Sequence, residues 1–194
     1  KTGTFLDQSA NHLVFGRLAR GRVLDAFCHD GGFGLQAARN PAVGEVIAVD
    51  ISAEALVRAQ ANAAGNALAL QTFEANVFDF LTDEVAAGSR YDTVALDPPA
   101  FAKTKGARDA AWRGYKEINR RALQLLEPGG ILLTCSCSYH VSEEEFEAVV
   151  ADAAADSGIT AQVIERRSQS PDHPVRLGMP ETRYLKALVL RKLE

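Results

Sequence analysis

Two cysteines stand two residues apart in Thr134-Cys135-Ser136-Cys137-Ser138, at the end of an apolar run that begins near Gly130. A thiolate can add to an electron-poor carbon and later leave, so a thiol at a strand tip suits covalent catalysis. An unperturbed cysteine titrates at about 8.5, and a nearby helix start or cation raises its ionised share. Residues two apart on a strand share a face, so both thiols are able to point at one site. Cys137 lies nearer the tip and is the candidate nucleophile. The plainer alternative makes both small buried hydrophobes. A zinc site from Cys28, His29, Cys135 and Cys137 lacks the usual paired spacing, so no metal is expected.

A second constellation, Asp97-Pro98-Pro99-Ala100-Phe101, follows the apolar run Tyr91 to Leu96. An acid, two prolines and an aromatic ring can hold a flipped nucleobase, the carboxylate reading its polar edge and the ring stacking on its face. Asp97 is therefore a candidate catalytic residue, and Pro98, Pro99 and Phe101 are candidate substrate contacts. Here Ala100 sets the ring one residue late, which weighs against methylation of an exocyclic amine. The prolines alone would also serve as a rigid strand exit. Together the thiol and the acid suit carbon 5 of a pyrimidine, a poor nucleophile until something adds to carbon 6.

A third segment, Val23 to Gly34, reads as an apolar strand, an acid (Asp25) and a glycine turn opening a helix, the arrangement with which doubly wound folds bind nucleotides. Gly31 and Gly32 allow backbone to approach a ligand, and Phe27 and Phe33 flank the turn. Asp25 would repel a pyrophosphate but suits an ammonium and a sulfonium, which points to S-adenosylmethionine (SAM) as cofactor and S-adenosylhomocysteine (SAH) as product. Asp50 and Ile51 end the next strand, where a carboxylate can accept both ribose hydroxyls. Asn76, Val77 and Phe78 follow the third strand, placed to hold an adenine; Asp97 would close the same pocket. Capping of the helices that follow is the alternative for Asp50 and Asn76.

These tips need a scaffold. Apolar runs at Arg22 to Phe27, Glu45 to Val49, Leu68 to Phe73, Tyr91 to Leu96 and Gly130 to Ser136 each precede a helical pattern, which predicts a parallel sheet. Ser142 and Glu145 have the spacing of a capping box at the start of the last helix. Ala161 to Arg166 and Tyr184 to Leu190 follow with no helix between, so they pair antiparallel. The fold class is α/β, a Rossmann-like, seven-stranded, mostly parallel sheet with one antiparallel strand and helices on both faces. The stretch Ser168 to Thr182 is expected to lie over the active site.

The 194 residues suit one catalytic domain, 1–194, and the opening Lys1 suggests that something upstream has been left out. No apolar run is long enough to cross a membrane and no signal pattern is present, so a cytoplasmic protein is expected. The three cysteines do not form a disulfide framework. A net charge of −4 argues against general coating of nucleic acid. Between Lys103 and Arg121, however, Lys103, Lys105, Arg108, Arg113, Lys116, Arg120 and Arg121 face only Asp109 and Glu117, as a phosphate-tracking face would. Lys103, Lys105 and Arg113 are candidate RNA contacts, with a solvated helix face as the alternative. A homodimer is left open.

The ordered set Lys1-Thr2-Gly3 to Asp7-Gln8, Asp25 with Gly31-Gly32-Phe33-Gly34, Asp97-Pro98-Pro99-Ala100-Phe101, Ser136-Cys137-Ser138, and Asp172-His173-Pro174 to Lys186 resembles the bacterial large-subunit ribosomal RNA cytosine-5 methyltransferases. The resemblance implies a class I methyltransferase fold, ribosomal RNA as partner, an amino-terminal RNA-binding domain upstream of this chain, Cys137 rather than Cys135 as nucleophile, and cofactor contacts from Lys1, Thr2 and Asp7. Two departures stand out. Ser9 replaces an arginine common after Asp7-Gln8. Tyr184-Leu185-Lys186 occupies the place where related uracil-5 enzymes carry a His-Leu-Glu that removes the carbon-5 proton, which leaves Asp97, Glu181 and Lys186 as candidate bases. The competing functions are an exocyclic amino methylase using Asp97 and a SAM- and RNA-binding module without catalysis.

Overall fold

In the computed structural model, residues 3–101, 106 and 108–194 are described. After a 3-10 turn at Leu6–Gln8, the elements are α1 (Ser9–Leu18), β1 (Gly21–Ala26), α2 (Gly32–Ala38), β2 (Val43–Asp50), α3 (Ala53–Gly65), β3 (Gln71–Glu74), α4 (Val77–Ala86), β4 (Tyr91–Leu96), α5 (Arg108–Leu125), β5 (Leu126–Ser136), α6 (Glu143–Asp156), β6 (Ala161–Arg167) and β7 (Lys186–Lys192). The seven strands form one sheet in the order β3-β2-β1-β4-β5-β7-β6. The first five are parallel, and β7 runs antiparallel to both neighbours.

The apolar runs have no polar alternation because the central strands are covered on both faces. Leu24, Ile47, Val94, Leu96 and Leu132 pack under α4, α5 and α6 through Leu81, Tyr115, Ile118 and Phe146. On the other face, Val23, Ala95, Ile131, Leu133 and Cys135 meet Val14 and Phe15 of α1 and Phe33 and Ala37 of α2. Ser142 and Glu145 form the expected capping box on α6.

Among the strand boundaries that differ from the sequence reading, two have a clear cause. Leu68 belongs to the exit of α3, its amide bonded to the Ala63 carbonyl after Ala67 takes a left-handed φ of 54°, so β3 starts only at Gln71. Tyr184 and Leu185 line a cleft instead of pairing, and β7 begins where Lys186 meets Ser136.

Helices α1 and α2 touch through Gly16, where an added Cβ would lie 2.6 Å from the Gln36 carbonyl oxygen. Backbone cannot yield there, so Gly16→Ala is expected to destabilise the protein by about 1–3 kcal/mol through overpacking. A lower urea midpoint at unchanged slope is the check; an unaltered midpoint would contradict the packing described.

Candidate active site

The carboxyl edge of a parallel sheet collects every strand exit at one rim. A cleft of about 690 Å³ opens there. Its walls are Phe27 and His29 after β1, Asp50, Ile51 and Ser52 after β2, Glu54 and Arg58 of α3, Asn76, Val77 and Phe78 around the start of α4, Asp97, Pro98, Pro99 and Phe101 after β4, and Cys137 after β5. Phe5, Asp7 and Gln8 from the N-terminal turn and Tyr184 and Leu185 before β7 complete it.

The β1 exit bends sharply. Phe27 and His29 both hold positive φ, 65° and 49°, costly conformations for side-chain-bearing residues that are maintained only by their surroundings. Part of that support is Asp50, whose Oδ2 accepts from the His29 amide at 2.9 Å and whose Oδ1 accepts from the Ser52 amide at 2.9 Å. Each oxygen keeps a further lone pair for a ligand. Asn76 caps α4 through Oδ1, bonded to the Phe78 amide at 2.9 Å, and also lines the cleft. Capping and cleft lining are thus combined in one residue. Phe27, Phe78 and Phe101 follow one another along the wall, with ring centroids 6.5 and 5.8 Å apart.

Cys137 reaches the cleft because its two serine neighbours turn inward. Ser136 Oγ donates to the Tyr115 hydroxyl at 2.9 Å, and that hydroxyl lies 2.8 Å from Ser138 Oγ. Lys186 Nζ donates to the Ser138 and Tyr184 carbonyls at 2.6 and 2.8 Å, tying the triplet to β7. The half-buried Cys137 Sγ is 3.9 Å from the Pro98 carbonyl. Burial, then the charge of Asp97, pushes its thiol above the ordinary cysteine value, while its own backbone amide and Lys186 pull the other way. Cys135 instead is fully buried in the core and absent from the cleft wall, so the two thiols do not share the site.

Asp97 is the acid nearest this chemistry. Burial raises its carboxyl to about 7, against a hydrogen bond from Gln8 and with reinforcement from Asp7. Asp7 itself accepts a bond from the Tyr184 hydroxyl at 2.7 Å.

Asp25 lies behind the wall, fully buried. Its Oδ2 accepts from the Gly34 amide at 2.7 Å, whereas Oδ1 has no partner among the described residues. Burial first, then the charges of Asp97, Asp50 and Asp30, raises its carboxyl to about 7 against the Gly34 amide. The folded value therefore exceeds the unfolded one of about 3.9, and Asp25's contribution to stability is full below about 4 and lost as pH climbs through about 7. Asp25→Asn is accordingly expected to gain on the wild type between pH 5 and 7.5 in urea titrations. A difference that does not change with pH would contradict this assignment.

Several expected contacts lie elsewhere. Phe33 is core, its ring edge-on to His12 and Phe15 at 4.4 and 5.5 Å. Gly32 is required by α1, because a Cβ would fall 2.3 Å from the His12 ring, and Gly31 takes a left-handed φ of 88° at the α2 cap. None of the three lines the cleft. Arg113 is exposed on α5, also away from it. The basic run is largely neutralised: Arg108 pairs with Glu145, Lys116 with Asp156 at 2.9 Å, and Arg120 and Arg121 with Glu117 at 3.0 and 2.5 Å. Lys1, Thr2, Lys103 and Lys105 lie outside the described residues.

The 168–182 stretch is neither structureless nor part of the cleft wall. It contains a 3-10 turn at Pro180–Thr182 and is fastened to the start of α1, Ser170 N donating to the Asp7 carbonyl at 2.7 Å and Ala10 N to Ser170 Oγ at 2.8 Å. Of the other candidate bases, Glu181 is exposed on that turn and Lys186 is occupied by carbonyls, burial lowering its ammonium to about 8.

Phe5, Gln8, His29, Ser52, Glu54, Arg58, Tyr184 and Leu185 line the cleft without having been assigned from sequence. Ser52 carried a readable sign, an N-cap serine two residues after Asp50. Among the described residues no cluster of three or more His, Cys, Asp or Glu is arranged to hold a metal ion, and no helix is long and apolar enough to cross a membrane.

Residues 19–175 match the family described as Methyltransferase domain. Ribosomal RNA large subunit methyltransferase I of Tolumonas auensis is 48% identical over 197 residues, covering 100% of this chain and 49% of that protein. The chain thus spans about half the length of the curated relatives it matches. Among solved structures, SMU.776 complexed with SAH superposes with a TM-score of 0.85 at 21% identity, over 98% of this chain and 50% of that one. The SAM dependent methyltransferase from Agrobacterium tumefaciens gives 0.69 at 18% identity, over 98% and 63%. At such identities the likeness shows the fold, that of the class I methyltransferases.

Proposed function

The chain belongs to the methyltransferase domain family, and from that premise we propose that it transfers a methyl group from SAM to carbon 5 of a cytosine in ribosomal RNA, with Cys137 as the covalent nucleophile. One observation carries the reading: a half-buried thiol and a carboxyl raised to about 7 share a cleft whose opposite wall suits a nucleoside. The name of the Tolumonas auensis relative supports ribosomal RNA as the substrate class.

The residues fit SAM. Asp50 has lone pairs for a ribose diol, Phe27, Ile51, Val77 and Phe78 offer an apolar wall with the Asn76 amide at its rim, and Asp7 and Asp97 in the wall, with Asp25 buried behind it, suit a cationic ligand. When bound, SAM supplies a methyl group on a positively charged sulfur. The chain's own residues do the rest. Asp97, ionised, accepts the amino hydrogen that cytosine carries and uracil lacks, and Phe101 backs the base. Cys137 gives up its proton to water in the open cleft and the thiolate Sγ bonds to carbon 6; the electrons of the 5,6 double bond make carbon 5 nucleophilic. Once carbon 5 is methylated, Asp97 takes its proton, the double bond re-forms and the carbon–sulfur bond breaks, releasing the thiolate.

Methyl-labelled SAM and unmodified ribosomal RNA transcripts, digested after reaction and analysed by mass spectrometry, test this. Labelled 5-methylcytidine is the expected product. Methyl on the exocyclic amine of a base would instead support amino methylation through Asp97, and tight RNA binding without label would support a binding module.

A further inference from the structure

The Asp97 carboxyl stands at the end of a chain of buried side-chain hydrogen bonds that begins outside the cleft. Arg167 Nε donates to Asn11 Oδ1 at 2.8 Å, Asn11 Nδ2 donates to Gln8 Oε1 at 2.7 Å, and Gln8 Nε2 donates to Asp97 Oδ1 at 2.9 Å. Asn11 and Gln8 are 0% and 2% exposed, so no water replaces these partners. An amide taken alone can sit either way round. Arginine, however, only donates, so it fixes the oxygen of Asn11 toward itself and, link by link, an N–H of Gln8 toward Asp97. Asn11 Nδ2 adds a bond to the Ser168 carbonyl at 3.2 Å, another partner that only accepts. The polarity of the chain is therefore set from its far end.

Oδ1 of Asp97 is thereby committed as an acceptor. Oδ2 makes no hydrogen bond among the described residues and is not among their buried unpaired atoms, so it is the oxygen open to the cleft. We propose that Gln8, oriented by Asn11 and Arg167, is a positioning residue that holds Asp97 ionised with Oδ2 presented to the amino group of the target base. The proposal rests on the cytosine reading above. It assigns a task to a buried glutamine, and it explains why the N-terminal turn, the start of α1 and the end of β6 are joined at this point.

Among the described residues, the groups facing Asp97 are Asp7 of the N-terminal turn, Asp25 of β1, and Cys135 and Cys137 at the end of β5. None of these is a cation, so among the described residues the Gln8 N–H is the main influence favouring the ionised carboxyl, against burial and Asp7. Its removal must raise the Asp97 midpoint further, which extends the protonated, non-accepting form to higher pH.

Carboxyl-carbon NMR titration of the protein with labelled aspartate, together with the pH profile of kcat/KM on a ribosomal RNA transcript, provides the test. In Gln8→Leu, the Asp97 midpoint is expected to rise by about one unit and the rising limb of the profile to follow it, giving about tenfold lower kcat/KM near pH 6.5 that converges on wild type by about pH 9. Arg167→Met leaves Gln8 in place but frees Asn11 to turn over, and should move both readouts the same way by less. An unmoved midpoint in both variants, or a loss uniform across pH, overturns the positioning role. A wild-type protein that puts no methyl on cytosine overturns the reading of the site instead, and the titration still reports on the chain of bonds.

Discussion

Cys137→Ala is expected to reduce methyl transfer at least about a thousandfold, as loss of a covalent nucleophile does, while SAH affinity stays within about twofold of wild type. The separation follows from the cleft. Cys137 sits across it from Asp50 and Asn76, so truncating the thiol removes the group that would activate carbon 5 and leaves the proposed nucleoside wall untouched. Cys135→Ala is the matched control, because that thiol is fully buried and absent from the cleft wall. It should cost stability through a small cavity and retain most transfer. Single-turnover assays with labelled SAM, paired with calorimetric titration of SAH, distinguish the two variants. Substantial transfer by Cys137→Ala would remove the covalent step and shift the assignment toward amino methylation.

Asp50→Ala is expected to have the second-largest effect, and on binding first. Hydrogen bonds to a charged partner contribute about 1.5–3 kcal/mol each, so losing two to a ribose diol weakens SAH by on the order of a hundredfold or more. Part of the loss arises indirectly, since Asp50 also receives the His29 and Ser52 amides and so supports the bent β1 exit. Asp50→Asn separates the contributions: it keeps an acceptor for one of these amides, gives up the charge, and should fall between wild type and Asp50→Ala. SAH affinity unchanged in Asp50→Ala would mean that the nucleoside lies elsewhere.

The fold was readable because the central strands are buried on both faces and therefore appear as unbroken apolar runs. β3, a short edge strand with little buried surface, was placed only roughly, its start set too early because Leu68 closes the α3 exit. The site was readable where it depends on strand tips. Asp50, Asn76, Asp97 and Cys137 all reached the cleft, since a parallel sheet delivers its carboxyl ends to one rim. What a tip residue does after the turn was harder to see. Phe33 and Gly32 are claimed by His12, some twenty residues earlier, and nothing in the local pattern announces that contact. The pairing of the basic run was hidden for the same reason: Glu145 and Asp156, which pair with Arg108 and Lys116, belong to α6. Gln8 depends on partners still farther apart, Asn11 and Arg167 lying 156 residues from each other in sequence.

The central claim is a bond between the Cys137 sulfur and carbon 6 of a cytosine. Ribosomal RNA transcribed with 5-fluorocytidine tests it directly, because fluorine cannot leave carbon 5 as a proton does and the adduct cannot resolve. With SAM present, the wild-type protein should form an RNA adduct that survives denaturation, and peptide mass spectrometry should find the methylated fluoronucleotide on Cys137. Full methylation of ordinary transcript with no such adduct, or an adduct on Cys135, would contradict the account.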